Sequence, residues 1–331
     1  MKRRLLLFLI FFLSLSCEKI LLPENPSTKP ETQFEIVWQT LYERYSLFEL
    51  KKIDWLAVRD SMKPKISNQM GSIELFDVLS DMLFILKDGH TNLISGFDIG
   101  RNWNWYLNYP QNFDYSVVER HYLLENHRIT GPFKHQLIDS VGYVYYGSFG
   151  SNFSESQLDL VLKTYEPYKG LILDVRDNGG GSLTLAKTLG STFVQSKTLG
   201  FYEITKTGPN PDAFSNPQPY YIDPRNYFYP KPLVILTNRS CYSATNSLIA
   251  MLKGLPNITI IGDTTGGGGG LPVSSELPNG WTFRYSASRT IDRNGHEMEL
   301  GIAPDYALNL SIIDLQNGRD TFIEKALSCF N

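Results

Sequence analysis

The chain has 331 residues, of which 42% are hydrophobic and 13% aromatic, and a formal net charge of -3 at pH 7. This length suffices for one large domain or two ordinary ones with a sizeable core. The slightly negative charge argues against a nucleic-acid-binding protein or a polybasic membrane surface, since both carry strongly positive patches. The five histidines are scattered and no C-x-x-C pair occurs, so we expect no metal site.

The first residues have the pattern of an export signal. The basic "MKRR" precedes an apolar run, Leu5–Leu13, and "SLSC" ends at Cys17. The run is too short to span a membrane as a helix, which favours an export signal. The cysteine directly after it resembles a bacterial lipoprotein signal, which implies that residues 1–17 are the signal and that Cys17 becomes the lipidated N-terminus. We therefore expect an exported protein, lipid-anchored to a bacterial membrane on the periplasmic side or the cell surface. Secretion without an anchor is the alternative.

A tether and a helical segment follow the signal. Residues 18–31 are Pro-rich and polar, as in a flexible tether. Apolar residues recur at helical spacing from Phe34 to Tyr45 and again in Ser72–Lys87. Such stripes are typical of helices that face a core. The spacing predicts a small helical N-terminal domain in residues 32–96.

From residue 97 onward the pattern changes to that of an α/β core, which we expect to extend over residues 97–331. The aromatic segments 101–109 and 113–129 predict short strands. Farther on, apolar strands alternate with helical segments, which indicates crossover connections and a largely parallel sheet. The main predicted strands are Asp139–Phe149, Gly170–Arg176, Pro232–Thr237 and Ile258–Gly262.

Two strand-to-helix corners carry residues suited to chemistry. In "DVRDNGGGS", Asp174–Ser182, three glycines precede a helix, where backbone N–H groups could bind an anion or an oxyanion. No Walker lysine follows, which disfavours a phosphate site, and a plain tight turn is the alternative. In "NRSCYSATNSLIAMLK", Asn238–Lys253, Ser243 lies near a helix start and could present its hydroxyl at the carboxyl edge of the sheet. The N–H of Ala244 would lie beside it, although a serine there commonly only caps the helix.

A histidine that could act as a base follows the second predicted helix. His90 lies in "LKDGHTNLIS", in a glycine-containing turn. An imidazole can accept the proton of a serine near neutral pH. A lone loop histidine is commonly only solvated, so on these residues alone a structural role stays open.

Taken in order, these segments resemble the S41 family of serine peptidases, the group of C-terminal processing peptidases and tricorn core proteases. The match extends from about Phe34 to Asp305. The motifs that carry it are "LKDGHTNL", "VGYVYYGSF", "GLILDVRDNGGGS", "VILTNRSCYSATNSLIAML", "IIGDTTGG" and "ELGIAPD". The resemblance implies an α/β fold with a ClpP/crotonase-like core of β-β-α units, preceded by a small helical N-terminal domain.

The resemblance also implies roles for individual residues. The family's nucleophile falls on Ser243, and the oxyanion donors fall on the backbone N–H groups of Ala244 and Gly180. Processing peptidases use a lysine as base, but its position is occupied here by Gly268. A Ser-Lys dyad of the usual form is therefore not expected.

The tricorn-like branch uses a histidine, which falls on His90, and an acid near a "G-x-x-P-D" motif. Glu299 is the best candidate for this acid, with Glu297 in reserve. Two positions depart from the pattern. Gly89 stands where tricorn has a serine, and Asn246 stands where the nucleophile segment has a glutamate.

The resemblance implies a serine endopeptidase with a Ser-His site, acting on exported proteins or peptides without a metal or cofactor. Only 48 residues separate His90 from Asp139, too few for a PDZ domain, so we do not expect a PDZ-based grip on substrates. The departures leave an alternative, a catalytically inactive S41-like protein that binds peptides or small ligands. The oligomeric state is open.

Overall fold

A computed structural model describes residues 27–331. The predicted signal, the lipidated Cys17 and most of the tether lie outside the described residues and stay predictions. Within residues 27–331, no helix is both long and apolar enough to cross a membrane.

Helices and strands follow one another as expected for a mixed α/β protein. The helices are α1 Pro30–Arg44, α2 Phe48–Lys51, α3 Trp55–Met62, α4 Ser72–Phe84, α5 Asn104–Leu107, α6 Tyr115–Val118, α7 Glu155–Tyr165, α8 Leu183–Ser191, α9 Ala244–Leu252, α10 Ile312–Gln316 and α11 Thr321–Ser328. The strands are β1 Asn92–Ile94, β2 Ile99–Arg101, β3 Arg128–Thr130, β4 Phe133–Ile138, β5 Val141–Tyr145, β6 Leu171–Asp174, β7 Thr198–Thr205, β8 Gln218–Ile222, β9 Leu233–Thr237, β10 Ile258–Gly262, β11 Pro272–Glu276, β12 Thr282–Ser286, β13 Ser288–Asp292 and β14 Tyr306–Ala307.

A seven-stranded sheet forms the centre of the molecule, in the order β14-β10-β9-β6-β5-β4-β3. Within this sheet, neighbouring strands among β14, β10, β9, β6 and β5 run parallel. Strands β4 and β3 add an antiparallel edge. Alternate residues of β6 face two different cores: Leu171 and Leu173 face one, and Ile172 faces the other. Burial on both faces explains why these strands are almost continuously apolar. The predicted α/β fold class is confirmed.

The N-terminal helices pack on a second sheet, ordered β11-β12-β1-β2 and antiparallel throughout. Leu93 of β1 and Phe283 of β12 are paired across this sheet, and both are buried in the core of the helices. The helices therefore share one core with a hairpin from much later in the chain. The boundary placed near residue 96 stays a prediction, and β1 and β2 lie on either side of it.

The segments expected as short strands between residues 101 and 129 are different in the structure. They form the short helices α5 and α6, and only β2 and β3 touch their ends. The prediction was wrong for α6 because Asp114 caps that helix. Its carboxylate accepts hydrogen bonds from the N–H groups of Ser116 and Val117, which stabilises a helix start.

Candidate active site

Ser243 lies at the corner between β9 and α9. Its backbone has φ +56° and ψ -118°, a region that residues other than glycine rarely adopt. Its N–H donates to the carbonyl of Gly267 at 2.9 Å, which fixes the corner against the glycine-rich loop Gly266–Gly270. A serine held in a strained strand-to-helix turn presents its hydroxyl above the sheet edge. Ser240 lies in the preceding turn and Ser247 lies inside α9, so Ser243 alone occupies the corner.

His90 lies within hydrogen-bond distance of this serine. Its Nε2 is 3.0 Å from the Oγ of Ser243, although 153 residues separate the two along the chain. The side chain is buried, and its ring lies 4.9 Å from the ring of Tyr242, centroid to centroid. The structure thus brings together a hydroxyl and an imidazole in the geometry that proton transfer needs.

The surroundings of His90 keep its imidazole neutral. Burial lowers the pKa of His90 to about 4, the nearby carboxylate of Asp88 opposes this fall, and Arg284 and Arg101 reinforce it. A neutral imidazole is the form that can accept a proton.

Asp88 is a residue of this site that the sequence analysis missed. Its Oδ1 accepts the backbone N–H of His90 at 2.8 Å, and its Oδ2 accepts the hydroxyl of Ser286 at 2.9 Å. Burial alone would raise the pKa of Asp88. The positive charge of Lys51 and the nearby His90 lower this pKa by more, so the net shift is downward. The aspartate of the "DGH" triplet was the available signal. It contacts the backbone of His90 rather than the ring, so it positions the histidine.

Glu299, predicted to support His90, makes other contacts. Its Oε1 lies 2.8 Å from the Nζ of Lys51, and its Oε2 accepts the N–H of Gly269 at 3.1 Å. Burial raises the pKa of Glu299, whereas Lys51 opposes the rise. Because an ammonium and a backbone N–H both donate to this carboxylate, we take it as ionised. The carboxylate holds the glycine-rich loop against α2.

The second imidazole nitrogen, Nδ1 of His90, is buried and has no hydrogen-bond partner at the usual distance and angle among residues 27–331, although the backbone of Gly270 lies close enough to raise the pKa of His90. Neither Glu299 nor the reserve acid Glu297 hydrogen-bonds to the ring, and Glu297 lies instead 3.6 Å from Arg289. The structure therefore shows the Ser243–His90 pair without an acid in contact with the imidazole.

The two predicted oxyanion donors lie next to each other. A Cβ built on Gly180 would lie 2.9 Å from the nitrogen of Ala244, and no described residue accepts the N–H of Ala244. The N–H of Gly180, however, donates to the Oδ1 of Asn178 at 3.0 Å. The next glycine, Gly181, has φ +136° and lines the same cleft as Ser243. Its N–H has no acceptor in the described part of the chain, so it is a second candidate donor.

Tyr242 explains both departures from the resembled family at Gly268 and Gly89. A Cβ on Gly268 would lie 2.4 Å from the Tyr242 ring, and one on Gly89 would lie 2.8 Å from its hydroxyl. Trp105 stacks on Tyr242 at 4.0 Å between centroids, and its Nε1 would lie 2.6 Å from a Cβ on Gly89. The ring of Tyr242 thus occupies the space that a lysine at position 268 or a serine at position 89 would need.

Asn246, the other departure, has a structural role. Its Nδ2 donates to the carbonyl of Met298 at 2.9 Å, and its Oδ1 accepts the hydroxyl of Thr265 at 2.6 Å. The same hydroxyl accepts the N–H of Ile302 at 2.7 Å. This buried amide therefore joins α9 to the two loops around the site.

Residues 27–331 hold no cluster of three or more His, Cys, Asp or Glu side chains placed to bind a metal ion. The expectation of a reaction without metal or cofactor stays a prediction.

Comparison with known families adds to this geometry. Residues 140–308 match the model of peptidase family S41, and residues 26–84 match the tricorn protease C1 domain. The first match covers β5 to β14, including Ser243 and the glycine-rich loop. The chain belongs to peptidase family S41.

Individual S41 relatives resemble the chain over different lengths. The carboxyl-terminal-processing protease of Synechocystis is 26% identical over 176 residues, which are 53% of this chain and 39% of that protein. The carboxy-terminal processing protease CtpA of Bacillus subtilis is 26% identical over 143 residues, 43% of this chain and 29% of that protein. The chain thus spans less than half the length of these two relatives. The crystal structure of a candidate peptidase from Parabacteroides merdae is 42% identical, with a TM-score of 0.87, over 92% of this chain and 97% of that one.

Proposed function

We propose that this S41 chain is a serine endopeptidase in which Ser243 is the nucleophile and His90 the general base. The observation that carries the proposal is the 3.0 Å separation between the Oγ of Ser243 and the Nε2 of His90. The strained backbone of Ser243 and the lowered pKa of His90 support it, since they favour an exposed hydroxyl and a neutral base. The substrates are proteins or peptides.

The reaction follows from the positions of these groups. His90 Nε2 takes the proton of Ser243 Oγ as Oγ bonds to the carbonyl carbon, and the electrons of the C=O double bond move to its oxygen. The N–H of Ala244, together with that of Gly181 or Gly180, stabilises this oxyanion. The imidazolium then protonates the leaving amine and the C–N bond breaks. Water attacks the acyl-enzyme by the same route in reverse, and Ser243 regains its proton.

Two carboxylates act indirectly in this scheme. Asp88 fixes the backbone of His90 and favours the imidazolium that forms during the reaction, because a negative charge nearby raises the pKa of that histidine. Glu299 positions the loop that carries Gly267 and Gly269. Neither carboxylate has to change its protonation state.

A reaction with an activity-based probe tests the proposal. A fluorophosphonate should label the wild-type protein, and Ser243→Ala should abolish the labelling. His90→Ala should slow it by about 100-fold or more, the range for loss of a general base. Cleavage of a peptide library by the same variants provides the second readout.

Ser240→Ala is the matched control, because Ser240 lies in the turn three residues before the nucleophile and makes no hydrogen bond to His90. It should label and cleave like the wild type. Probe labelling that persists in Ser243→Ala, or no labelling and no cleavage by the wild type, would contradict the peptidase proposal. The second result would favour the alternative, an inactive S41-like binding protein, for which the unpartnered Nδ1 of His90 is the supporting observation.

We include export and a lipid anchor on Cys17 in the proposal, on the basis of the signal-like N-terminus. The same probe can follow them in a bacterial host. The labelled protein should partition with membranes, and Cys17→Ala should move the label to the soluble fraction. Equal partition of the two proteins would contradict the anchor and leave the active-site proposal unaffected.

A further inference from the structure

Two arginines without acidic partners lie beside the candidate active site. Arg101 of β2 and Arg284 of β12 are both directly opposite Asn92 of β1 in the sheet register. Residues opposite each other on neighbouring strands point to the same face. The other face of this sheet, with Leu93 and Phe283, packs on the N-terminal helices. The two arginines therefore share the face that is turned away from that core.

This face borders the catalytic groups. Arg284 lines a cleft together with Ser243, Ala244 and the glycine-rich loop residues Gly268–Gly270. Arg101 lines a neighbouring depression of about 930 Å³ that is walled by Trp103 and Trp105. Both arginines lower the pKa of His90, which places their positive charge close enough to act on the reacting groups.

No described residue compensates the charge of the two arginines. In the part of the chain that the structure describes, neither guanidinium takes part in a hydrogen bond or an ion pair. Arg101 only stacks on the ring of Trp103, at 4.1 Å from its centroid. Arg239, which lines the same depression as Arg101, does have partners, since it donates to the carbonyls of Trp105 and Thr265. Two guanidinium groups with all donors free are suited to a carboxylate.

We propose that Arg101 and Arg284 select substrates that carry a carboxylate close to the scissile bond. Charge complementarity carries this inference. A carboxylate placed between the two side chains would give both guanidinium groups the negatively charged partner that the described residues do not provide. The carboxylate can come from an aspartate or glutamate side chain or from the C-terminus of a peptide. The inference rests on the proposed peptidase function and adds its substrate class.

Four matched peptides separate these sources. They share one cleavable core and carry, in turn, an internal glutamate with an amidated C-terminus, glutamine with an amidated C-terminus, glutamine with a free C-terminus, and glutamate with a free C-terminus. We expect kcat/KM of the wild type to be about tenfold or more higher for the peptide with the recognised carboxylate than for the uncharged one, as for one charge-assisted contact. The first peptide, with only the glutamate carboxylate, and the third peptide, with only the C-terminal carboxylate, then identify which source is recognised.

The variant Arg101→Gln/Arg284→Gln should reduce this preference, measured as the ratio of kcat/KM for the carboxylate peptide to kcat/KM for the uncharged one, to near unity. Arg120→Gln is the matched control, because Arg120 is exposed and belongs to the short π-helix Glu119–Leu123, which packs on β4. Its preference should equal that of the wild type. Equal kcat/KM for all four peptides, or an undiminished preference in the double variant, overturns the inference.

Binding to the variant Ser243→Ala separates this inference from the proposed function. By fluorescence anisotropy, the carboxylate peptide should bind about tenfold or more tightly than the uncharged one, and the two arginine substitutions should remove the difference. This result without any cleavage by the wild type would support the arginine pair and contradict the peptidase. Cleavage by the wild type without any dependence of binding on the carboxylate would support the peptidase and overturn the arginine pair.

Discussion

At pH 7 the imidazole of His90 is neutral, since burial and two arginines lower its pKa to about 4. A general base works only in its deprotonated form. An ordinary histidine would begin to lose this ability below pH 6.5. His90 should remain deprotonated, and able to act as a base, well into the acidic range.

We therefore expect kcat/KM to be nearly constant as the pH falls from 7 to about 5, and to be lost as the pH passes through about 4. Arg101→Gln/Arg284→Gln should move this acid limb to higher pH, because removing positive charge raises the pKa of His90. Asp88→Asn should move it to lower pH, because Asp88 raises that pKa. The measurement is a pH profile of kcat/KM on an uncharged peptide, with circular dichroism at each pH. A limb near 6.5 in the wild type contradicts this account.

Ser243 and His90 could be predicted from the sequence because each directly follows a helix or strand pattern and lies in a recognisable motif. Their partners could not. Asp88 acts through a tight turn and through Ser286, 198 positions away, and no local pattern reports such a contact. The contact between Glu299 and Lys51 likewise depends on how α2 packs against the C-terminal loops.

Among the elements around the site, the glycine-rich loop Gly266–Gly270 depends most on the absence of side chains. Gly268 has φ +75°, and a Cβ there would lie 2.4 Å from the ring of Tyr242. A run of glycines in the sequence indicates only conformational freedom. The structure shows why position 268 has no side chain: the ring of Tyr242, next to Ser243, approaches the loop closely.

Gly268→Ala should lower the free energy of unfolding by about 2 kcal/mol more than Gly254→Ala, since overpacking of a tight site costs this order of energy. Gly254 is a close control: it also has φ +75°, and nothing lies within 4 Å of a Cβ built on it. Both variants then have the same cost of placing an alanine at φ +75°. The difference between their free energies of unfolding therefore measures the contact with Tyr242. Denaturant unfolding gives both values. Equal losses in the two variants would mean that the ring moves aside freely.

The strand pattern of the central sheet was the most predictable part of the fold, because burial on both faces produces continuous apolar runs. Short elements were less predictable. The helices α5 and α6 have four residues each. In α6, capping by the single aspartate Asp114 outweighs the preference of aromatic residues for strands.

On the scale of the whole molecule, the N-terminal helices and the C-terminal part of the chain are joined by a buried ion pair. Lys51 at the end of α2 contacts Glu299 at 2.8 Å, and the two side chains are 16% and 5% exposed. Burial alone would lower the pKa of Lys51. The carboxylates of Glu299 and Asp88 raise this pKa by more, so the net shift is upward. The ammonium thus stays charged beside two carboxylates.

Lys51→Met should lower the free energy of unfolding by about 3 kcal/mol, because it leaves the carboxylate of Glu299 buried and without its counter-charge. Lys51→Met/Glu299→Met should recover only part of this loss, since the unpaired carboxylate of Glu299 is removed while the buried carboxylate of Asp88 remains without Lys51. A double-mutant cycle by denaturant unfolding measures both. Arg319→Met is the control at an exposed pair, Arg319–Asp314, and should cost no more than about 1 kcal/mol. A loss for Lys51→Met that is as small as the control's would contradict this assignment.

The position of Tyr242 also constrains how this chain can change in evolution. Introducing a lysine at position 268 alone meets the tyrosine ring, and removing the ring alone leaves a hole under Trp105 without supplying a base. Neither single step exchanges the proposed histidine base for a lysine base. The route between the two kinds of S41 site therefore requires coupled substitutions at positions 242 and 268, and a combinatorial library at these two positions would map it.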